Sequence, residues 1–205
     1  MGWRPPETSI AALRRRRHPS ARRSRRRHFD FPRPRYWLAS ARPPERRSPP
    51  PVTQSIDVRL AELGIVLPDA PAPAANYVPY VTTGDLVFVS GQISRDAAGL
   101  ITGRLGADVD VAAGRAAARH CGLALVAQLR AACGGDLERV RQVVKLTGFV
   151  NATPDFTEHP QVINGVSDLM VEIFGEKGRH ARAAVGSVSL PLGVAVEVEG
   201  VFRIA

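Results

Sequence analysis

Arg182, Glu197 and Glu199 are the side chains in this sequence whose types and spacing could do chemistry together. An arginine grips a carboxylate through a planar fork of N–H donors, and a carboxylate can take a proton from water. Two β-like runs, Ala181–Leu190 and Val194–Ile204, flank Pro191-Leu192-Gly193, which reads as the turn of a closing hairpin. In that pairing Gly186 faces Glu197 and Ala184 faces Glu199. The two-residue period then puts Arg182, Ala184, Gly186, Glu197 and Glu199 on one face, with Val185, Val196 and Val198 on the other as core. One face thus offers a cation, two carboxylates and two side chains too small to fill space. Spacing alone favours a solvent-facing hairpin with cross-strand ion pairs.

Other chemistries leave no trace. The chain has no glycine-rich phosphate loop, no nucleophile elbow and no Cys or His pair at metal-ligand spacing. His18 and His28 lie in the N-terminal tail, while His120 and His159 sit where histidines are usually solvated. Cys121 and Cys133 fall in one expected helix, where a rise of about 1.5 Å per residue separates them by roughly 18 Å. That is beyond disulfide reach, so both read as free thiols, as a reducing cytoplasm would keep them.

The elements that must position these residues follow from hydrophobic period and punctuation. Ser55 caps a short helix through Ile56, Leu60 and Leu63, ended by Gly64. Strands are expected at Tyr77–Thr82 and Leu86–Ile93 around a Gly84-Asp85 turn, and a small one between Gly99 and Gly106. Val111, Ala118, Cys121, Leu125, Leu129 and Ala132 form one stripe of a helix over Asp110–Cys133, stopped by Gly134-Gly135. Val140–Asn151 reads as a strand. Pro160 opens a second long helix striped by Val162, Val166, Leu169, Ile173 and Phe174 and ended by Gly175. The order implies an α+β domain, a mixed sheet with two long helices packed on one face.

Charge divides the 205-residue chain sharply. Residues 1–51 carry 15 Arg, three acids (Glu7, Asp30, Glu45) and ten Pro, a balance of +12, whereas residues 52–205 balance at −3. The body is therefore no basic nucleic-acid-binding domain. The tail's prolines and mutually repelling arginine clusters forbid a core, so residues 1–53 read as a disordered extension and 54–205 as the domain. Three readings of the tail stand side by side: an RNA-binding arm, a transit peptide, and an upstream translation from a mis-assigned start. The last is favoured by 26 Arg against two Lys, as GC-rich coding produces, and by Val52, which a GTG start codon could encode. No window approaches the roughly 18 apolar residues of a spanning helix, so no membrane protein or membrane partner is expected, and the free thiols fit a cytoplasmic one.

Ser90-Gly91-Gln92, His180-Ala181-Arg182-Ala183-Ala184-Val185, and Leu190-Pro191 followed by Val196-Glu197-Val198-Glu199 together resemble the RidA/YjgF family, the reactive-intermediate deaminases. Some members carry the older label of L-PSP endoribonuclease. Tyr77-Val78-Pro79, Lys145–Val150 and Val162-Ile163-Asn164-Gly165 resemble its longer branch, termed YjgF/chorismate-mutase-like endoribonucleases. The likeness runs from about Ser55 to Ala205.

The resemblance implies a chorismate-mutase-like fold and a homotrimer with pockets at the subunit interfaces, using no metal and no cofactor. Its substrates would be small 2-imino or 2-enamine carboxylates, hydrolysed to 2-keto acids and ammonia. Arg182 falls on the family's carboxylate-binding arginine and Glu197 on its water-orienting acid. Tyr77 falls on the pocket tyrosine, Asn164 on the pocket asparagine with a one-residue offset, and Ser90 and Gly91 on the lining backbone. Ala184 stands where better-known members have a cysteine. Two rivals share the fold: a trimer that binds a small carboxylate without turnover, and an RNA-cleaving or RNA-binding protein whose nucleic-acid contact would come through the tail.

Overall fold

The computed structural model describes residues 55–72 and 76–205, so the expectations for residues 1–53 lie outside the described residues. Helix α1 (Ile56–Glu62) begins at Ser55, whose hydroxyl accepts from the Val58 N–H as the cap. Strands β1 (Tyr80–Thr83) and β2 (Leu86–Ile93) form the expected hairpin, with Gly84 supplying the positive φ of the turn. The first strand starts three residues later than its pattern suggests. Pro79 cannot donate to the ladder, so Tyr77 stays in the segment leading into it.

The small strand expected between Gly99 and Gly106 proves to be half of a two-residue hairpin, β3 (Arg95–Asp96) with β4 (Gly99–Leu100). Helix α2 (Val111–Ala132) is capped by the Asp110 carboxylate accepting from the Ala113 N–H. Strand β5 (Val140–Asn151) matches its expectation, and helix α3 (His159–Phe174) ends at Gly175. Two further strands close the chain, β6 (Ala181–Ser187) and β7 (Val196–Ile204).

Five strands make one mixed sheet in the order β1-β2-β7-β5-β6. All its pairs are antiparallel except β5 with β6, which run parallel. Helices α2 and α3 pack on one face over Leu146, Val150, Val196, Val198 and Phe202. Small residues bring the two helices close. A Cβ on Gly122 would crowd Leu169 and Val166, and one on Gly165 would overlap the Arg115 carbonyl. This is the α+β, chorismate-mutase-like layer expected from the sequence. Among the described residues, no helix is long and apolar enough to cross a membrane.

One expectation is overturned. The last two strands are not a hairpin, because β5 lies between them and pairs with both. Chain from Val188 to Ala195 carries the crossover, with Leu192 at φ 57 in its 3-10 turn and Val194 bridged to Thr102. The two-residue period holds inside each strand, but the phase between the strands was tied to the wrong partner. Arg182, Ala184 and Gly186 lie level with Leu146, Gly148 and Val150 on the helix-covered face. Glu197 and Glu199 lie level with Phe149 and Thr147 on the open face, and Val185 joins them there rather than the core.

Candidate active site

Arg182 sits on β6, the edge strand beside β5, and reaches toward α3. Its Nη1 donates to Asn164 Oδ1 at 2.8 Å and to Ser167 Oγ at 3.1 Å. Asn164 and Ser167 are one turn apart on α3, off its apolar stripe, which is why both can face the strand edge. Among the described residues no carboxylate pairs with Arg182. Both acceptors it meets there are neutral oxygens, so neither compensates its charge. His180 continues the group: its Nε2 lies 3.1 Å from Ser167 Oγ, and its Nδ1 lies 2.6 Å from the Gly178 carbonyl. Burial, and then the Arg182 charge, hold the imidazole below the usual histidine range, partly offset by the Gly178 hydrogen bond. Ala184, half-buried, continues the same face.

The second group of residues is built from backbone. Between the pairs Val89–Gly200 and Gln92–Val198 the register of β2 shifts, leaving Ser90 and Gly91 opposite Glu199 alone. Such a bulge re-aims the chain and leaves polar backbone groups unpaired by the ladder. Gln92 answers part of that need, its side-chain amide donating to the Ser90 carbonyl at 2.9 Å and the Gly91 carbonyl at 3.3 Å. Ser90 Oγ donates to the Val78 carbonyl at 2.8 Å, and its N–H to the Pro79 carbonyl, tying the Tyr77 segment to the bulge.

Glu197 lies against Gly91, where any Cβ would overlap its Oε1. Burial, and then the neighbouring Glu199, push its carboxyl above the usual range. Among the described residues no hydrogen bond reaches that carboxylate. Tyr77, Ser90, Phe88, Lys145, Thr147 and Glu199 line a shallow depression of about 490 Å³ on the open face.

Thus Arg182 and Asn164 meet, as do Gly91 and Glu197, with Ser90 in the same bulge and Tyr77 beside Ser90. The two groups do not meet each other within one chain. They lie on opposite faces, with β6 and β7 two strand spacings apart, about 10 Å, and β6 and β2 three, about 14 Å. Ser167 and His180 escaped the sequence reading. Their signal was present, since Ser167 follows Asn164 by one helical turn and His180 precedes Arg182 by one strand repeat. Among the described residues no three His, Cys, Asp or Glu side chains cluster as metal ligands.

Residues 57–200 match the family described as "YjgF/chorismate_mutase-like, putative endoribonuclease". The chain belongs to that family. The chain is 52% identical over 151 residues to Protein TCP17 of Trypanosoma cruzi, covering 73% of this chain and 94% of that one. The fold is similar to the crystal structure of Atu1372 from Agrobacterium tumefaciens, a protein of unknown function, with a TM-score of 0.68 and 47% identity over 73% of this chain and 92% of that one. It is also similar to the crystal structure of a putative endoribonuclease from Shewanella oneidensis MR-1, with a TM-score of 0.71 and 38% identity over 74% of this chain and all of the other. The match leaves the arginine-rich N-terminal segment outside it.

Proposed function

We propose that this YjgF-family chain is a cofactor-independent deaminase of small 2-imino and 2-enamine carboxylates, working in a homotrimer whose subunits share each site. The observation that carries the reading is the state of Arg182. Among the described residues the Arg182 guanidinium is held by two neutral oxygens, which leaves it poised for a carboxylate from outside, and two parallel N–H···O bonds would fix the substrate's plane. Ala184 beside it leaves room at the strand surface.

Glu197 supplies the complementary group. Its raised proton affinity makes it a stronger base than an ordinary carboxylate near neutral pH. It would take a proton from water as the oxygen bonds to the iminium carbon, then return that proton to the nitrogen of the resulting carbinolamine. The C–N bond breaks, the hydroxyl proton leaves with ammonia as ammonium, and the 2-keto acid remains. The iminium carbon is already activated, so orientation and one base suffice.

Two features support sharing between subunits. The groups around Arg182 and Glu197 cannot close on one substrate within a chain, being on opposite faces. The open face of the sheet also leaves Val81, Phe88 and Val185 roughly half exposed, surface that a second copy would cover. In the proposed assembly the edge of β6 and α3 from one subunit abuts the bulge, Tyr77 and Glu197 of the next.

The test is ammonia release from freshly generated 2-iminobutyrate, with light scattering on the same sample. Release well above the uncatalysed background from a trimer supports the reading. Binding of 2-oxobutyrate without turnover identifies a carboxylate-binding trimer instead, and a monomer at micromolar concentration removes the shared site.

A further inference from the structure

Arg182 has five N–H donors, two of them on Nη1. Asn164 Oδ1 and Ser167 Oγ take both of those. Only one edge of the guanidinium then offers two parallel donors, the side formed by Nε and Nη2. The end-on edge, Nη1 with Nη2, is closed.

The direction of each bond in the supporting group is fixed by what the Gly178 carbonyl can do. A carbonyl only accepts, so His180 Nδ1 carries the proton that reaches it. The neutral ring then has an acceptor at Nε2, and the Ser167 hydroxyl must donate there. Its lone pairs are left turned toward Arg182 Nη1. Gly178 is itself fixed, because any Cβ there would overlap the Met170 carbonyl at the end of α3. The aim of the arginine is thus referred back, bond by bond, to the backbone of the helix it lies beside.

We propose that Ser167 and His180 are positioning residues that lock Arg182 so that it receives the substrate carboxylate side-on, through Nε and Nη2 alone. This rests on Arg182 being the carboxylate ligand, as set out above. Neither residue touches substrate. Their effect is to keep the guanidinium from rotating, so that both donors are already aimed when the carboxylate arrives. Losing the Ser167 acceptor frees one Nη1 hydrogen, and the incoming carboxylate must then order the fork at a cost in affinity.

The experiment compares wild type, Ser167→Ala, Ser167→Thr, His180→Phe and Arg182→Lys in the full chain. Turnover of 2-iminobutyrate is measured together with binding of 2-oxobutyrate by calorimetry. Ser167→Ala is expected to raise KM and weaken 2-oxobutyrate binding about tenfold, with kcat within about twofold and no change of melting temperature. Ser167→Thr keeps the hydroxyl and should restore wild-type values. His180→Phe should act in the same direction as Ser167→Ala but less strongly.

If Arg182→Lys collapses activity while Ser167→Ala matches wild type in KM and binding, the positioning role is overturned and the site reading stands. A Ser167→Ala loss that falls on kcat and melting temperature together, without rescue by threonine, is a structural effect and overturns it too. If Arg182→Lys binds and turns over as wild type does, the site reading fails and the proposal with it.

Discussion

The two halves of the candidate site are built by opposite means. Around Arg182 the work is done by side chains: an asparagine, a serine and a histidine hold a cation at the edge of the sheet through hydrogen bonds. Around Glu197 it is done by backbone and by absence, a bulge at Ser90-Gly91 and a missing Cβ that leaves space for a carboxylate. A side-chain network can be altered one bond at a time, with graded loss. A void filled by one carboxylate tolerates no added atom. The halves should therefore respond differently to mutation, and that difference is where they can be broken apart.

The largest effect belongs to the backbone-built half. Glu197→Gln keeps the shape and removes the proposed base, and should lower kcat by about a hundredfold or more while leaving 2-oxobutyrate affinity unchanged. Gly91→Ala should match it in kcat, since the new methyl displaces the Glu197 carboxylate. The displaced atoms are the free end of a side chain, so melting temperature should barely move. A Gly91→Ala protein with wild-type kcat would show that the placement of Glu197 is unimportant.

Next comes the side-chain half. Arg182→Lys retains the charge but replaces a planar fork with a point donor, a loss of about 1.5–3 kcal/mol, or roughly one to two decades in kcat/KM. Here, unlike in Glu197→Gln, 2-oxobutyrate binding should weaken as well. Equal affinities in both variants would erase the distinction drawn between the halves.

The pH dependence is a smaller effect. Burial and Glu199 raise the Glu197 carboxyl, so the acid limb of the turnover profile should lie above the usual carboxylate range. Glu199→Gln removes one of the two causes and should shift that limb to lower pH. The same shift has a consequence for stability. A carboxyl whose folded pKa is raised contributes stability that is fully present below its unfolded pKa and is lost as pH rises through the folded one. Melting temperature of Glu197→Gln should accordingly exceed that of wild type modestly at neutral pH, and the gap should close in acid.

Helices α2 and α3, strands β2 and β5, and the layer order were legible because each is written in a local period with a stop signal, such as Gly134-Gly135 or Gly175. The pairing of β6 was not. Its seven residues carry a two-residue period that says which side chains share a face, but nothing in Ala181–Ser187 says that β5, thirty residues upstream, will be its neighbour. For the same reason spacing placed Arg182 and Glu197 together on one face, whereas β5 lies between their strands and sets them on opposite faces. Ser167 and His180 were missed because their meaning depends on α3 lying beside β6, a contact between elements rather than a pattern within one.

The smallest effect expected is a null one. Cys121 and Cys133 are buried free thiols, and burial raises both above the usual thiol range. Neither should react with a thiol-specific disulfide reagent in the native protein, and both should react once it is unfolded. Fast native-state labelling would mean that the layer of α2 beneath Glu197 opens readily.

The central claim, that one subunit's Arg182 works with the next subunit's Glu197, is tested most directly by mixing two inactive variants. Arg182→Lys and Glu197→Gln chains, separately tagged and co-expressed in equal amounts, assemble hybrid trimers at random. In a closed ring an intact pair then arises at about one interface in four, so hybrids should recover about a quarter of wild-type ammonia release although neither parent has it. Hybrid trimers that form and remain as inactive as their parents would contradict the shared site.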